Sequence, residues 1–219
     1  MIRIVIDEAH LIEVWGDDFR KAYKDLEFLK LAFSGVPISC FTATANDTAV
    51  EKICESLRMK DPVLIRLPLQ RHNLFYSVVP KNKTKDPSRF ISNFIKTKYP
   101  DSSGIIYCLS TNESEALSSY LQKDGINAKH FHSKIKEDEK KSIQQAWTAG
   151  TIKVIVGTIA FGLGIDKPDV RFIIHSSVPK TLSAYYQESG RAGRDGKHSD
   201  CVLLFEFVIL SLSLSNLPH

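Results

Sequence analysis

Short runs of β-branched residues alternate with longer stretches of helical period along this 219-residue chain, and this alternation constrains its fold more than any other feature. The pattern is typical of βα units, whose strands pair into a parallel sheet with helices packed on its faces. The predicted strands are 2–6, 36–41, 63–67, 75–79, 104–108, 128–131, 152–156, 171–175 and 201–205. The predicted helices are 18–33, 47–58, 87–98, 112–123, 136–149 and 182–189. The sequence therefore predicts an α/β protein with a mainly parallel sheet.

A segment without clear periodicity, residues 68–74, contains Pro68 and is predicted to be a linker. After it, residues 75–207 contain enough predicted strands for a complete α/β domain. Before it, residues 1–67 contain three predicted strands and two predicted helices, too few to cover both faces of a parallel sheet. We therefore expect an incomplete first domain, a complete second domain and a divergent tail over residues 208–219.

Composition excludes several classes of protein. Hydrophobic residues make up 43% and charged residues 25% of the chain, which excludes a collagen-like, coiled-coil or largely disordered protein. The 29 Lys and Arg residues exceed the 25 Asp and Glu residues by four. This charge balance is compatible with a polyanionic partner but does not require one.

The cysteines and the apolar segments bear on the cellular compartment. Cys40, Cys54, Cys108 and Cys201 form no C-x-x-C pair, so we expect buried free thiols in a reducing compartment and no zinc site in this chain. Carboxylates interrupt the apolar run at the N-terminus, which argues against a secretory signal. The apolar stretch 201–217 is too short and too interrupted by polar residues for a membrane span. We therefore expect an intracellular protein.

The tetrapeptide Asp7-Glu8-Ala9-His10 follows the first apolar strand, which places two carboxylates at the carboxyl edge of the predicted sheet. Nucleotides bind at this edge in parallel α/β folds. One carboxylate can hold Mg²⁺ through water while its neighbour orients and deprotonates an attacking water. Because acidic residues often end strands, a chance occurrence of the tetrapeptide is the alternative.

Two glycine-bearing loops also suit phosphate binding. Residues 185–196, Tyr-Tyr-Gln-Glu-Ser-Gly-Arg-Ala-Gly-Arg-Asp-Gly, place Arg191 and Arg194 on a turn after a predicted helix. Two guanidinium groups on a backbone that a ligand can approach closely suit bidentate binding of phosphate oxygens, and a solvated basic turn is the alternative. Residues 156–168 run from a strand into a second loop, although ordinary βα turns show the same glycine spacing.

In order and spacing, these segments and Thr42-Ala-Thr-Ala45 resemble motifs II, III, V and VI of superfamily 2 helicases, and residues 104–110 resemble motif IV. Residues 10–20, His-Leu-Ile-Glu-Val-Trp-Gly-Asp-Asp-Phe-Arg, resemble the aromatic-rich loop that follows motif II in RecQ DNA helicases. The resemblance covers residues 2–206 and implies a partial first RecA-like domain followed by a complete second one. It also implies an ATP-driven translocase that moves 3′ to 5′ on single-stranded DNA and separates duplexes in repair and recombination.

The resemblance further implies a role for each matching residue. Asp7 would bind Mg²⁺, Glu8 would be the catalytic base and His10 would link the ATP site to the aromatic-rich loop. The residues implied in ATP binding on the second domain, with the two arginines reaching the γ-phosphate, are Gly164, Asp166, Gln187, Arg191 and Arg194. The residues implied in nucleic-acid binding are Trp15, Phe19, Arg20, Thr42, Thr44, Ser110 and Thr158. For the two aromatic residues of this set, packing in the core is the alternative.

The sequence contains no P-loop, the G-x-x-x-x-G-K-[ST] motif with which RecQ helicases hold the triphosphate. We therefore expect a helicase fragment that cannot hydrolyse ATP alone. The alternatives are a non-catalytic module that binds single-stranded nucleic acid or a protein, and a superfamily 2 RNA helicase. The family implies ATP and Mg²⁺ as cofactors and single-stranded and branched DNA as partners. It implies no membrane partner and a monomeric state. The implied location is the nucleus in a eukaryote and the cytoplasm otherwise.

Overall fold

The structure is a computed structural model. It describes residues 3–12, 26–43, 45–81, 84, 86–158, 161 and 166–206. The chain divides into two compact units, Met1–Leu69 and Gln70–His219, and the division falls within the segment predicted to be a linker. Among the described residues, no helix has the length and apolar character needed to cross a bilayer.

The first unit contains a pair of parallel strands, β1 (Ile4–Ile6) and β2 (Ile38–Cys40). A short 3-10 helix, Ala9–Ile12, follows β1. Two α-helices are described, α1 (Glu27–Ala32) before β2 and α2 (Asp47–Ser56) after it. The first half of the helix predicted over 18–33 lies outside the described residues.

A small apolar core holds the first unit together. Ile6, Ala9, Ile53 and Leu57 are buried against one another, so β1, the 3-10 helix and α2 pack on a common centre. Helix α2 begins where the sequence predicts, because the side chain of Asn46 caps it by accepting a 2.8 Å hydrogen bond from the Ala49 N–H.

Residues 63–67, predicted to be a strand, do not form one. They have no regular secondary structure, and Val63 and Ile65 are 88% and 80% exposed. β-Branched residues favour a strand where a neighbouring strand and a packed face are present. No strand among the described residues pairs with this segment, so its local preference for extended structure finds no partner and the prediction is wrong.

The described residues of the second unit form six strands and four helices. The strands are β3 (Leu74–Pro80), β4 (Ser103–Tyr107), β5 (Ala128–Phe131), β6 (Val154–Gly157), β7 (Val170–His175) and β8 (Ser199–Phe205). The helices are α3 (Pro87–Lys98), α4 (Thr111–Lys123), α5 (Glu137–Thr148) and α6 (Leu182–Ser189). The strand order is β3-β8-β7-β4-β6-β5, and every pair is parallel. The predicted parallel α/β fold is confirmed.

Both faces of the six-stranded sheet are buried along its central strands β4, β6 and β7, whereas the edge strand β3 is mostly exposed. Neighbouring residues on one strand, such as Ile105 and Ile106, belong to two separate core clusters because successive side chains of a strand point to opposite faces. Ile91 and Leu117 bring α3 and α4 to one face, and Trp147 brings α5 to the other. Helices on both faces are the expected cover for a parallel sheet.

The four cysteines are all free. Cys108 and Cys201 are buried, and burial raises the pKa of each thiol to about 12. Cys40 and Cys54 are partly exposed. The expectation of buried free thiols therefore holds for two of the four residues.

Candidate functional site

The acidic turn of the first unit, Asp7 and Glu8, directly follows β1 and so lies at the carboxyl edge of the strand pair. Glu8 adopts a positive φ of 50°, and its N–H donates a 2.9 Å hydrogen bond to Asp7 Oδ1. A positive φ costs a residue other than glycine about 1 kcal/mol or more, and such strain is concentrated at functional sites. The two adjacent carboxylates are thereby held in a defined turn.

His10 connects the acidic turn to the segment after β2. Its Nδ1 lies 2.9 Å from Thr42 Oγ1 and 3.3 Å from Glu8 Oε2. The Ala9 N–H also donates to the Phe41 carbonyl over 2.9 Å, so backbone and side chain bridge the same two segments. The resemblance to RecQ helicases implies a link from His10 to the aromatic-rich loop, most of which lies outside the described residues, so that link stays a prediction. The contact with Thr42 is one that the sequence analysis did not predict.

The carboxylates have the chemistry that a magnesium nucleotide requires. The Glu8 side chain is 42% exposed, although its Oε2 is buried 3.3 Å from His10 Nδ1. The exposed part of the carboxylate can accept a proton from water or contact a hydrated cation. Asp7 is exposed beside it. The donor set therefore fits Mg²⁺ bound through water.

The second unit carries the arginine turn, residues 190–196, immediately after α6. Thr181 caps the N-terminus of α6, and its hydroxyl accepts a 3.0 Å hydrogen bond from the Ala184 N–H. Beyond the helix, the Gly193 N–H donates to the Val170 carbonyl over 2.9 Å, which fixes the turn against the start of β7. The turn is thus a rigid support for its two arginines.

Arg71 and Asn73 hold the arginine turn from the opposite side. Asn73 Nδ2 donates to the carbonyls of Gly193 and Lys197 over 2.8 and 2.9 Å. Arg71 Nη2 donates to the Gly193 carbonyl over 2.6 Å. Both residues lie within the predicted linker, so pattern reasoning assigned them no role. The available signal was a polar Arg-x-Asn directly before an apolar strand.

The turn brings two of the predicted ATP-binding residues together. Arg194 Nη1 lies 2.8 Å from Asp166 Oδ1, and both side chains are exposed, at 38% and 80%. Arg191 is hydrogen bonded to the hydroxyl of buried Tyr107. Burial raises the pKa of Tyr107 above its usual range, and the neighbouring guanidinium of Arg191 partly opposes this shift.

Helix α6 is fastened to the sheet by a buried histidine–glutamate hydrogen bond that the sequence analysis did not predict. His175 Nε2 lies 2.8 Å from Glu188 Oε2, and both side chains are almost inaccessible. Gln187, predicted to contact ATP, precedes Glu188 on this helix and is half-buried. The pair fixes the end of α6 from which the arginine turn departs.

Ser110 and Thr158, both predicted to contact nucleic acid, follow β4 and β6 at the carboxyl edge of the sheet. Ser110 caps α4, since its hydroxyl accepts a 3.2 Å hydrogen bond from the Glu113 N–H. Thr158 is half-buried, and its N–H donates to the Phe131 carbonyl over 3.3 Å. Both backbone positions are defined by these contacts, while a role in binding nucleic acid stays a prediction.

Five predicted site residues lie outside the described residues. They are Trp15, Phe19, Arg20, Thr44 and Gly164. Their roles stay predictions.

Comparison with known proteins bears on the chain as a whole. Residues 86–196 match the helicase conserved C-terminal domain. The chain is 44% identical over 207 residues to the ATP-dependent helicase SGS1 of Saccharomyces cerevisiae, covering 94% of this chain and 14% of that protein. It is 44% identical over 208 residues to the RecQ-like DNA helicase BLM of Xenopus laevis, covering 94% and 15%. It is 45% identical over 203 residues to a putative ATP-dependent DNA helicase Q1 of Caenorhabditis briggsae, covering 92% and 33%.

Solved structures show the same fold at low sequence identity. Saccharomyces cerevisiae Dbp5 bound to RNA and ADP BeF3 matches with a TM-score of 0.74 and 17% identity, covering 94% of this chain and 54% of that one. The Mycobacterium smegmatis helicase Lhr bound to ssDNA and AMP-PNP matches with a TM-score of 0.72 and 22% identity, covering 93% and 28%.

The parallel six-stranded sheet and the match to the helicase conserved C-terminal domain place the chain in the class of RecA-like helicase domains. Within that class, the chain belongs to the family of the helicase conserved C-terminal domain and, by its relatives, to the RecQ helicases. It spans 14–33% of the length of the three relatives named above.

Proposed function

We propose that this chain forms part of the motor core of a RecQ-type ATP-dependent DNA helicase. The observation that carries the proposal is an identity of 44–45% over 92–94% of the chain to proteins named as ATP-dependent or RecQ-like helicases. The proposed activity is 3′ to 5′ movement on single-stranded DNA with unwinding of duplexes, in repair and recombination. The proposed location is the nucleus of a eukaryotic cell, and the proposed state is a monomer.

In the proposed mechanism, Asp7 would hold Mg²⁺ and Glu8 would accept a proton from the attacking water. ATP with Mg²⁺ supplies a phosphoanhydride bond whose cleavage drives movement, with the metal neutralising phosphate charge. The partly exposed Glu8 carboxylate and the fixed turn around it support this assignment. His10 positions the turn relative to Thr42, which we propose to relay between ATP and DNA together with Thr44.

Arg191 and Arg194 are proposed to bind the γ-phosphate and to stabilise the negative charge that develops there. Guanidinium groups suit this task because they present several N–H donors in a fixed plane. The ion pair with Asp166 supports the proposal, because it holds the Arg194 side chain over the turn with a carboxylate partner that a phosphate oxygen can replace. Gly164 and Gln187 are proposed to contact the nucleotide as well.

The proposed DNA contacts combine stacking with phosphate binding. Trp15 and Phe19 offer aromatic faces for unpaired bases, and Arg20 offers a cation. Ser110 and Thr158 are proposed to contact the backbone of the strand from the second unit. Single-stranded and branched DNA are the proposed substrates.

The test compares two polypeptides. One consists of these 219 residues, and the other is extended at its N-terminus by the P-loop segment of a RecQ-like relative. The short form is expected to bind Mg-ATP weakly in calorimetry, because it has no P-loop amides and lysine to hold the phosphates. The extended form is expected to hydrolyse ATP, with stimulation by single-stranded DNA that exceeds stimulation by a matched RNA strand.

Two outcomes would contradict the proposal. An extended form that binds single-stranded DNA without hydrolysing ATP would support a non-catalytic binding module. Equal or stronger stimulation by RNA would support an RNA helicase.

A further inference from the structure

Three possible metal ligands converge on the face of the sheet that α4 covers. Glu115 lies on α4, His130 lies on β5, and His132 follows that strand directly. One ligand atom from each of the three side chains lies within 4.8 Å of the other two. The two imidazole rings are nearly parallel, 12° apart in orientation, with centroids separated by 5.3 Å. Residues two apart on a strand project from the same face, which explains this arrangement.

His132 is poorly satisfied by its protein neighbours. Its side chain is 4% exposed, and Nε2 lies 2.9 Å from Glu115 Oε1. Neither ring nitrogen makes a well-aligned hydrogen bond with the described residues. A buried polar atom without a partner costs free energy, so a buried imidazole in this state needs an explanation. A cation that accepts a nitrogen lone pair provides one.

The ligand chemistry selects the kind of cation. Two imidazoles and a carboxylate suit Zn²⁺ and similar transition metals, whereas Mg²⁺ and Ca²⁺ prefer oxygen ligands alone. Bonds of about 2.0 to 2.1 Å in a tetrahedral site would put the ligand atoms about 3.3 Å apart. The longest separation between ligand atoms would shorten by up to about 1.5 Å, a movement open to Glu115, whose side chain is 51% exposed, and to half-buried His130.

We propose that Glu115, His130 and His132 bind one divalent transition-metal ion, with Zn²⁺ as the reference ion, and that this ion ties α4 to the edge strand β5. The proposal replaces the expectation of no zinc site, which rested on cysteine spacing alone. Imidazole and carboxylate ligands that lie on separate elements give no such local signal. The site uses none of the residues proposed for ATP hydrolysis or DNA binding.

The first experiment titrates the metal-free, untagged chain with Zn²⁺ in a calorimeter. We expect one high-affinity site, and we expect His130→Asn to weaken it about tenfold or more because one of the three protein ligands is lost. His72→Asn is the matched control, since His72 is an exposed histidine outside the cluster. Equal Zn²⁺ affinity of the wild type and His130→Asn would overturn the proposal, as would failure of the wild type to bind.

A second readout identifies the ligands. Co²⁺ in place of Zn²⁺ should give visible absorption of a low-coordinate nitrogen and oxygen site in the wild type and in His72→Asn, and should lose it in His130→Asn. Because His132 is buried, its substitution is informative only if circular dichroism shows a folded protein. Glu115→Gln, at an exposed position, serves in its place and should also weaken Zn²⁺ binding. An unchanged Co²⁺ spectrum in both His130→Asn and Glu115→Gln would place the metal elsewhere and refute the assignment.

A third measurement tests the proposed link between α4 and β5. A ligand that binds the folded state alone raises the melting temperature, and saturating Zn²⁺ should raise it by about 5 °C. His130→Asn should abolish this rise while keeping the melting temperature of the metal-free protein near that of the wild type. An equal rise in the variant would contradict the link.

Discussion

At the scale of single residues, Gly193 is the position on which the arginine turn depends. Its φ of +54° is in the left-handed region, and a Cβ there would lie 2.4 Å from Asn73 Nδ2 and 2.7 Å from the Lys197 carbonyl oxygen. Both atoms belong to the hydrogen bonds that hold the turn. The lack of space for a Cβ and the positive φ therefore each require glycine at this position.

A comparison of alanine substitutions at Gly193 and Gly196 should separate the cost of steric crowding from the cost of backbone strain. We expect Gly193→Ala to lower the free energy of unfolding by about 3 kcal/mol, because the added methyl group displaces Asn73. Gly196→Ala is the control, since Gly196 has a φ of +80° and no atom within 4 Å of the added carbon. It should cost about 1 kcal/mol. Urea denaturation measures both values, and equal costs would show that Asn73 does not confine the turn.

The residues of the candidate site that stand in short sequence motifs can be predicted from the sequence. Asp7 and Glu8 follow an apolar run, and Arg191 and Arg194 stand among glycines, so short windows are enough to find them. The contact between His10 and Thr42 joins residues 32 positions apart. Such a contact depends on how β1 and β2 pair, and no window around either residue contains that information.

At the scale of elements, the central strands of the second unit are predictable because they are buried on both faces. The apolar run 172–174 within β7 (Val170–His175) shows no alternation of polar and apolar residues, which is typical of a strand in a parallel sheet. Residues 63–67 are also mainly apolar but remain exposed coil. Whether such a run forms a strand depends on the presence of a partner strand, and the local sequence does not contain that information.

Helix α4 depends on a cap that also joins neighbouring strand ends. The Glu113 carboxylate accepts hydrogen bonds from the Leu109 N–H over 2.9 Å and from Ser176 Oγ over 2.6 Å. Ser110 accepts a hydrogen bond from the Glu113 N–H in return. The arrangement resembles a capping box, in which each end of the first turn satisfies the other.

Removing this carboxylate should therefore destabilise the second unit. We expect Glu113→Ala to lower the free energy of unfolding by about 2 kcal/mol, because two charge-assisted hydrogen bonds are lost and buried Ser176 loses its acceptor. Glu139→Ala, at an exposed site in the first turn of α5, should cost about 0.5 kcal/mol. Chemical denaturation compares them, and equal losses would indicate that the cap contributes little.

At the scale of the whole molecule, the second unit contains its own core. Both clusters that cover its sheet, one on each face, are made of residues between Leu74 and Leu204. The first unit has a separate and smaller cluster around Ile6 and Leu57. Domains with their own cores are expected to fold alone.

A polypeptide of residues 70–219 should accordingly fold without the first unit. We expect a single cooperative thermal transition near that of the corresponding transition in the whole chain, since no core residue is removed. Differential scanning calorimetry of both polypeptides makes the comparison. A non-cooperative transition in the shorter polypeptide would show that its sheet needs the first unit.

We propose that the acidic turn belongs to the catalytic site of a DNA-stimulated ATPase. In the form extended by a P-loop segment, Glu8→Gln should retain nucleotide binding and lower DNA-stimulated hydrolysis by about 10² or more, because an amide cannot accept the proton of the attacking water. Glu51→Gln, at an exposed glutamate on α2, should leave hydrolysis unchanged. The most direct measurement is the steady-state rate of ATP hydrolysis with and without single-stranded DNA. A Glu8→Gln variant that hydrolyses ATP at the rate of the Glu51→Gln control would contradict the account.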